Sequence, residues 1–292
     1  MRVTQSMLTQ NSLRQLSTSY SKMGKLMEQL STGKKISKPS DDPVVAMKGM
    51  YYRTNLTELE QYKRNLSESY AWMENSEAAL DHVQSVMHRA RELVVQGSNE
   101  TYSPEDLQAI GKEIEQLKHD FVQVANTQVA GKYIFNGTAV DKPRIVDANN
   151  PTSVSNENSP FEVEVSRGIK LQSNINSDNV FSEEMLGVWN ELQAAFENGD
   201  TDALGDLMGR LDAGADLISA ERSELGARYN RLEMIDNRIG YQEVVATRIL
   251  SDNEDADIEK VITDLTSQES VHRASLGVGA RVIQPSLLDF LR

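Results

Sequence analysis

The chain has 292 residues, no cysteine and a formal net charge of −14. That acidity disfavours nonspecific binding to nucleic acid or to an anionic membrane surface, and the missing thiols exclude disulfides and zinc–thiolate sites. Hydrophobic residues make up 39%, charged residues 25% and aromatics only 6%, a balance that suits long helices with narrow apolar seams better than a thick globular core.

The opening residues, MRVTQSMLTQNSL, lack the continuous apolar core of a secretory signal. No apolar run reaches the roughly 18 residues that a membrane span needs. If the chain leaves the cell, it is expected to use a route without a cleaved signal peptide.

In chain order, apolar residues first recur at Leu13, Leu16, Tyr20, Met23, Met27 and Leu30. The alternating steps of three and four predict a coiled-coil helix. Gly33 stands where a left-handed residue ends a helix, and KKISKPS follows as a loop, with Pro39 biasing Lys38 away from helix. A second helix is predicted to start across Ser40, Asp41, Asp42 and Pro43. Asp42 as N-cap and Pro43 at the first helical position satisfy orphan backbone donors and preset the torsion.

From there one position repeats every seven residues: Val45, Tyr52, Leu59, Leu66, Met73, Leu80, Met87 and Val94. A helix carrying all of them is roughly 75 Å long. The polar break QGSNETYSPED ends it, and Ser103, Pro104 and Asp106 cap a third helix. Its seam is Leu107, Ile110, Ile114, Leu117, Phe121 and Val124, and the short connection predicts that it folds back antiparallel on the second.

The pattern changes at GKYIFNGT. From Lys132 to about Phe181, short alternating runs (KYIF, RIV, FEVEV, GIKLQSNI) lie among Asn, Asp, Pro and Gly, and FEVEVSRGIKLQ reads as a hairpin turning around Ser166 to Gly168. Helical period returns after Ser182 with EEMLGVWNELQAAFENG. A second very long helix then repeats Leu204, Leu211, Ile218, Leu225, Leu232, Ile239 and Ala246. Its seam covers about 63 Å, so the two long helices are expected to pack together. The acidic SDNEDAD interrupts the pattern at Ser251 to Asp257, and a last helix runs from Ile258 towards VIQPSLLDFLR, with Pro285 as a late kink or stop.

These elements predict a mainly α fold with a small β insertion. The chain divides into a terminal helix (1–40), one half of a helical rod (41–131), a β-rich insertion (132–182), the other half of the rod (183–250) and a second terminal segment (251–292). Residues 1–40 carry seven basic side chains against Glu28 alone, whereas 251–292 carry eight acids against four bases. Opposite charge suggests that the ends pair. Each has little apolar surface beyond one seam, so either is marginal as an isolated helix.

Catalytic and metal-binding chemistry finds no support. His82, His88, His119 and His272 make no i, i+4 pair with a further ligand. Asp41 and Asp42 are adjacent and so do not share a helical face, and capping explains them better than acid–base work. DNEDAD at Asp252 to Asp257 lacks the glycine and the distal glutamate of a calcium loop. LGVGAR follows no strand and is no phosphate cradle. The seam methionines read as core filler. No cofactor is expected.

With these features together, LSTGKKISKPSDD resembles the Leu-Ser-(Ser/Thr)-Gly-x-(Arg/Lys)-Ile…Asp-Asp pattern of bacterial flagellins and their relatives. SDNEDADIEKVITDLTSQESVHRASLGVGARVIQPSLLDFL is similar to that family's acidic helix start and terminal leucine-rich helix. MRVTQSM, PSDDPVVA, GKYIFNGT and SLLDFLR look more like the family's junction members than its filament subunits, and SVHRASL departs from the family's usual run. The resemblance covers about 1–140 and 185–292.

It implies a flagellin-like, long antiparallel coiled-coil bundle built from both halves of the chain. It also implies a non-enzymatic, secreted, extracellular building block of the flagellum, exported by its type III apparatus. The expected partners are further copies of the chain in a ring or tube, the preceding hook-associated protein, flagellin and an export chaperone, with no nucleic acid and no membrane. The implied assembly seam comprises Leu13, Leu16, Tyr20, Met23, Met27 and Leu30 with Leu276, Val282, Leu287, Leu288 and Leu291. Both ends (about 1–40 and 255–292) are expected to be mobile in the isolated chain, because ordering entropy must be offset by neighbours. A flagellin filament subunit is the nearer alternative, and a cytoplasmic coiled-coil adaptor the more distant one.

Overall fold

The computed structural model describes residues 5–99 and 102–283. The helices are α1 (Gln5–Thr32), α2 (Pro43–Gly97), α3 (Pro104–Ala125), α4 (Ser177–Val180), α5 (Glu183–Asn198), α6 (Thr201–Glu254) and α7 (Ile258–Ile283). Two small antiparallel hairpins lie between α3 and α4: β1 (Gln128–Val129) with β2 (Lys132–Tyr133), and β3 (Glu162–Ser166) with β4 (Ile169–Gln172). Two compact units result, one from residues 1–58 and 242–292, the other from 59–241.

Local chemistry places the helix ends. Asp42 accepts hydrogen bonds from the amides of Val44 (2.9 Å) and Val45 (3.1 Å), which caps α2 ahead of Pro43. Ser103 and Asp106 cap α3 reciprocally. Gly33 has φ +67° and donates its amide to the Gln29 carbonyl at 2.9 Å, the left-handed turn that ends α1. The acidic run does not stop α6 at its first residue. The helix continues to Glu254 and breaks only over Asp255–Asp257, where Asp257 accepts from the Lys260 amide at 3.1 Å and opens α7.

In the unit of residues 59–241, the seams of α2 and α6 are the core. Leu59, Leu66, Met73, Leu80, Met87 and Val94 are buried, as are Leu204, Leu211, Ile218, Leu225, Leu232 and Ile239. Burying a side chain of this size contributes roughly 1.5–3 kcal/mol. The pair is antiparallel: Tyr70 meets Tyr229 (centroids 5.2 Å apart), Glu77 meets Arg222 (2.6 Å) and Arg91 meets Asp212 (2.7 Å).

α3 meets α2 through Arg89 and Glu113 (2.7 Å) and also packs on α5, where Phe121 lies 5.7 Å from Trp189; Phe181, just before α5, lies 5.3 Å from Phe121. Leu117 is only partly covered, and its neighbour Lys118 takes the buried position instead.

The β region is fastened to the helices, not free-standing. Trp72 of α2 stacks on Phe161 (5.1 Å), and Asn65 donates to the Glu164 carbonyl (2.7 Å). Arg144 is fully buried, donating to the carbonyls of Glu157 and Phe181 and to the Asp178 carboxylate. The RIV run forms a single bridge, Ile145 to Val154, in place of a strand. β3 and β4 turn through Arg167–Gly168, with Gly168 at φ +72°.

Candidate functional site

The terminal unit carries the features the sequence marks out for function. α1 and α7 pack antiparallel. Ser19 accepts from Gln268 Nε2 (2.8 Å) and lies 3.3 Å from His272 Nδ1, while a Cβ placed on Gly279 would meet Leu16 Cδ1 at 3.7 Å. Tyr20 leans on His272 (centroids 6.2 Å). The covered strip therefore mixes small and polar groups with apolar ones, with Val261 as its buried aliphatic member.

The seam residues of α1 separate into two stripes. Leu16 and Met23 are half-buried, whereas Leu13 (54%), Tyr20 (67%), Met27 (48%) and Leu30 (38%) stay exposed. On α7, Leu276 is exposed, as are Ile258, Ile262, Val271 and Val278. The side chain of Val282 is not described, and Leu287, Leu288 and Leu291 lie outside the described residues. Two helices in contact cover one face of each, so among the described residues Leu13, Tyr20 and Met27 stay exposed along one flank of α1, while the exposed apolar side chains of α7 lie on two flanks, Ile258, Ile262 and Leu276 on one and Val271 and Val278 on the other. Exposed apolar side chains gathered along a helix flank mark a candidate interaction site.

The joint between α1 and α2 meets the α6–α7 break. Lys34 bridges Asp255 backbone to backbone. The Lys35 amide donates to the Glu254 carbonyl (2.7 Å), and the Ala256 amide donates to the Gly33 carbonyl (2.8 Å). Lys34 Nζ lies 2.6 Å from the Asp255 carboxylate, and Lys35 Nζ donates to the Asp252 carbonyl. The lysines of the joint thus face the acidic segment of the same chain.

Asp41 and Asp42 are engaged separately. Asp41 takes the Lys25 ammonium (3.0 Å) and the Lys38 amide (3.3 Å), while Asp42 caps α2. The hydrogen bond from Lys25 holds the Asp41 carboxyl below its ordinary value, and those from Lys34 and Ser251 do the same for Asp255. Ser40 and Pro43 flank this turn on the exposed surface. Nothing here pairs a nucleophile with a base.

Besides Arg144, the described residues include three further buried charged groups that escape sequence inspection. Glu254 is 5% exposed beneath Gly49 and Arg53. Lys118 is 1% exposed and donates to the amide oxygens of Asn149 (2.8 Å), Asn190 (3.2 Å) and Gln193 (2.7 Å). Burial holds its pKa below the ordinary lysine value. Glu221 accepts from the Asn176 amide and from Asn179 Nδ2. A surface helix position and a buried one read alike when the residue is charged, although the small residue at Gly49, four positions before Arg53, hints at close approach.

Among the described residues no helix is long and apolar enough to cross a membrane, and no cluster of three His, Cys, Asp or Glu side chains is placed to hold a metal ion.

Residues 3–140 match the family model described as the bacterial flagellin N-terminal helical region. Flagellin of Bacillus subtilis strain 168 is 26% identical over 311 residues, covering 100% of both chains. Flagellar hook-associated protein 3 of Escherichia coli K12 is 25% identical over 302 residues, covering 94% of this chain and 95% of that one. The crystal structure of Bacillus cereus FlgL is similar with a TM-score of 0.60 and 25% identity, over 69% of this chain and 99% of that one. The long antiparallel helices, the capped joint and these likenesses together make the chain similar to bacterial flagellins and hook-associated proteins, with residues 3–140 matching the flagellin N-terminal helical region.

Proposed function

We propose that this chain is a structural subunit of the hook–filament junction, sitting between a preceding hook-associated protein and the flagellin filament. The likeness to hook-associated protein 3 supports the place, and the exposed apolar side chains of α1 and α7 carry the mode of action. A subunit whose two ends present exposed apolar side chains joins its neighbours head to tail, and such heterologous contacts build an open tube or a ring. The seam of Leu13, Tyr20, Met27 and Leu30 with Leu276 and its neighbours is the surface for other copies.

The chain works without turnover, cofactor or metal. It leaves the cell through the flagellar type III apparatus with an export chaperone and acts outside the cell. In the free chain α1 and α7 loosen readily and are fixed on assembly, because neighbours supply the apolar contacts that offset the entropy of ordering. The helices of 59–241 carry the β region of 132–182.

Immuno-electron microscopy is the direct test. Label confined to the hook–filament boundary is expected, and label spread along the filament would replace this reading with that of a filament subunit. A likeness to flagellin of the same strength keeps the second reading in play.

A further inference from the structure

Glu254 is the most buried acid of the terminal unit, and three segments of that unit converge on it. Its carboxylate takes Arg53 Nη2 of α2 at 2.6 Å and lies 3.7 Å from Lys34 Nζ of the joint. Its carbonyl accepts the Lys35 amide. Its side chain fills the space over Gly49, where a Cβ would lie 2.3 Å from Oε1. One residue earlier, Asn253 Nδ2 donates to the Val45 carbonyl at 3.0 Å. The joint, the start of α2 and the end of α6 are therefore tied at one point.

We propose that Glu254, with Gly49, Arg53 and Lys34, is a lock that stays closed in the free chain. It limits how far inward the ends loosen and fixes the direction in which α1 and α7 leave the joint. The inference rests on the reading of the ends as assembly surfaces, and Glu254 acts as a positioning residue for them. The physics is asymmetric. Arg53 keeps 62% of its side chain in water, whereas the Glu254 side chain keeps 6%. Removing Arg53 leaves a buried carboxylate short of its main cation, which is strongly unfavourable, while removing both charges leaves two neutral groups still able to pair.

The test is residue-resolved amide exchange on the full-length free chain. The Lys35 and Ala256 amides bridge the joint to the break and report closure. In the wild type both are expected to be protected while the interior of α1 and α7 exchanges freely. Arg53→Gln should lower their protection by about tenfold or more. Arg53→Gln with Glu254→Gln should recover most of it, and the unit of 59–241 should keep its protection throughout. Gly49→Ala, whose methyl displaces the carboxylate, should mimic Arg53→Gln.

Unprotected Lys35 and Ala256 amides in the wild type would overturn the lock, and so would a double variant no better than Arg53→Gln. Neither result touches the junction reading, which stands or falls on where the label lies in the flagellum.

Discussion

In residues 59–241 a seam leucine such as Leu80 has lost all contact with water, whereas Leu13, on a terminal seam of the same spacing, keeps 54% of its surface exposed. The difference lies in the number of neighbours. α2 and α6 are covered further by α3, α5 and the β region, through groups such as Phe121, Trp189 and Phe161. Among the described residues α1 and α7 have each other, and their contact strip mixes Leu16, Met23 and Val261 with Ser19, Gln268, His272 and Gly279. A heptad seam thus becomes a core where the chain supplies a third layer and an interface where it does not. The larger unit covers its own seams, and the terminal unit leaves apolar side chains of α1 and α7 exposed.

The comparison breaks first in the core. Trp189→Ala, at a side chain with no exposure, should cost about 3–5 kcal/mol, and Leu80→Ala about 2–5 kcal/mol, by urea denaturation of the full chain. Losses below about 1 kcal/mol would mean that the seam is not the core the larger unit depends on.

Next in size is Lys118→Met, expected to cost about 1–3 kcal/mol by orphaning three amide oxygens. Its pH dependence has a definite sign. Burial lowers the folded-state pKa, opposed by Glu115, Glu197 and Asp147, so the unfolded chain binds the proton more readily. The wild type should gain stability relative to Lys118→Met as pH rises from the lowered value to the ordinary lysine one, near 10.5. A gap constant across that window would remove the desolvation argument.

Replacing Asp42 and Pro43 together by alanine should cost about 1 kcal/mol through the lost cap and should impair flagellar assembly. Unchanged thermal stability with unchanged motility would show that the joint matters to neither unit.

A smaller effect is expected from acid. Lys34 and Ser251 hold the Asp255 carboxyl below its ordinary value, so this contribution is complete above about pH 4 and is lost as pH falls through the lowered value. Exchange at the Lys35 amide should accelerate there beyond the intrinsic rate, and less so in Asp255→Asn.

Smallest of all in the free chain is Leu13→Ala with Met27→Ala, within about 0.5 kcal/mol of wild type. Incorporation into flagella should nevertheless fall sharply. Equal incorporation would sink the assembly role of the exposed stripe.

Much of this architecture is legible without coordinates. Period-seven repeats announce α2 and α6 because one-sided burial along a helix leaves a regular trace. Asp42–Pro43, Ser103–Asp106 and Gly33 announce helix ends because their chemistry acts within a few residues. The hairpin at Arg167–Gly168 is legible for the same reason. Three points are not. α3 packs on α5 as well as meeting α2, α6 carries its helix past Ser251 to Glu254, and the six-residue seam of α1 divides into a covered and an uncovered stripe.

The candidate site follows the same division. Lysines in the joint and acids after α6 suggest attraction, but Glu254 under Gly49 is invisible in either segment read alone.

Composition, seam spacing and capping residues therefore determine by themselves a cysteine-free, acidic chain of long coiled-coil helices with a small β insertion and oppositely charged ends. Each of those properties is local or additive along the chain. Tertiary structure alone decides which face of each helix is covered, which charges are buried at Lys118, Arg144 and Glu254, and which apolar side chains of α1 and α7 stay exposed. Burial belongs to what surrounds a residue, and those surroundings come from segments far apart in sequence.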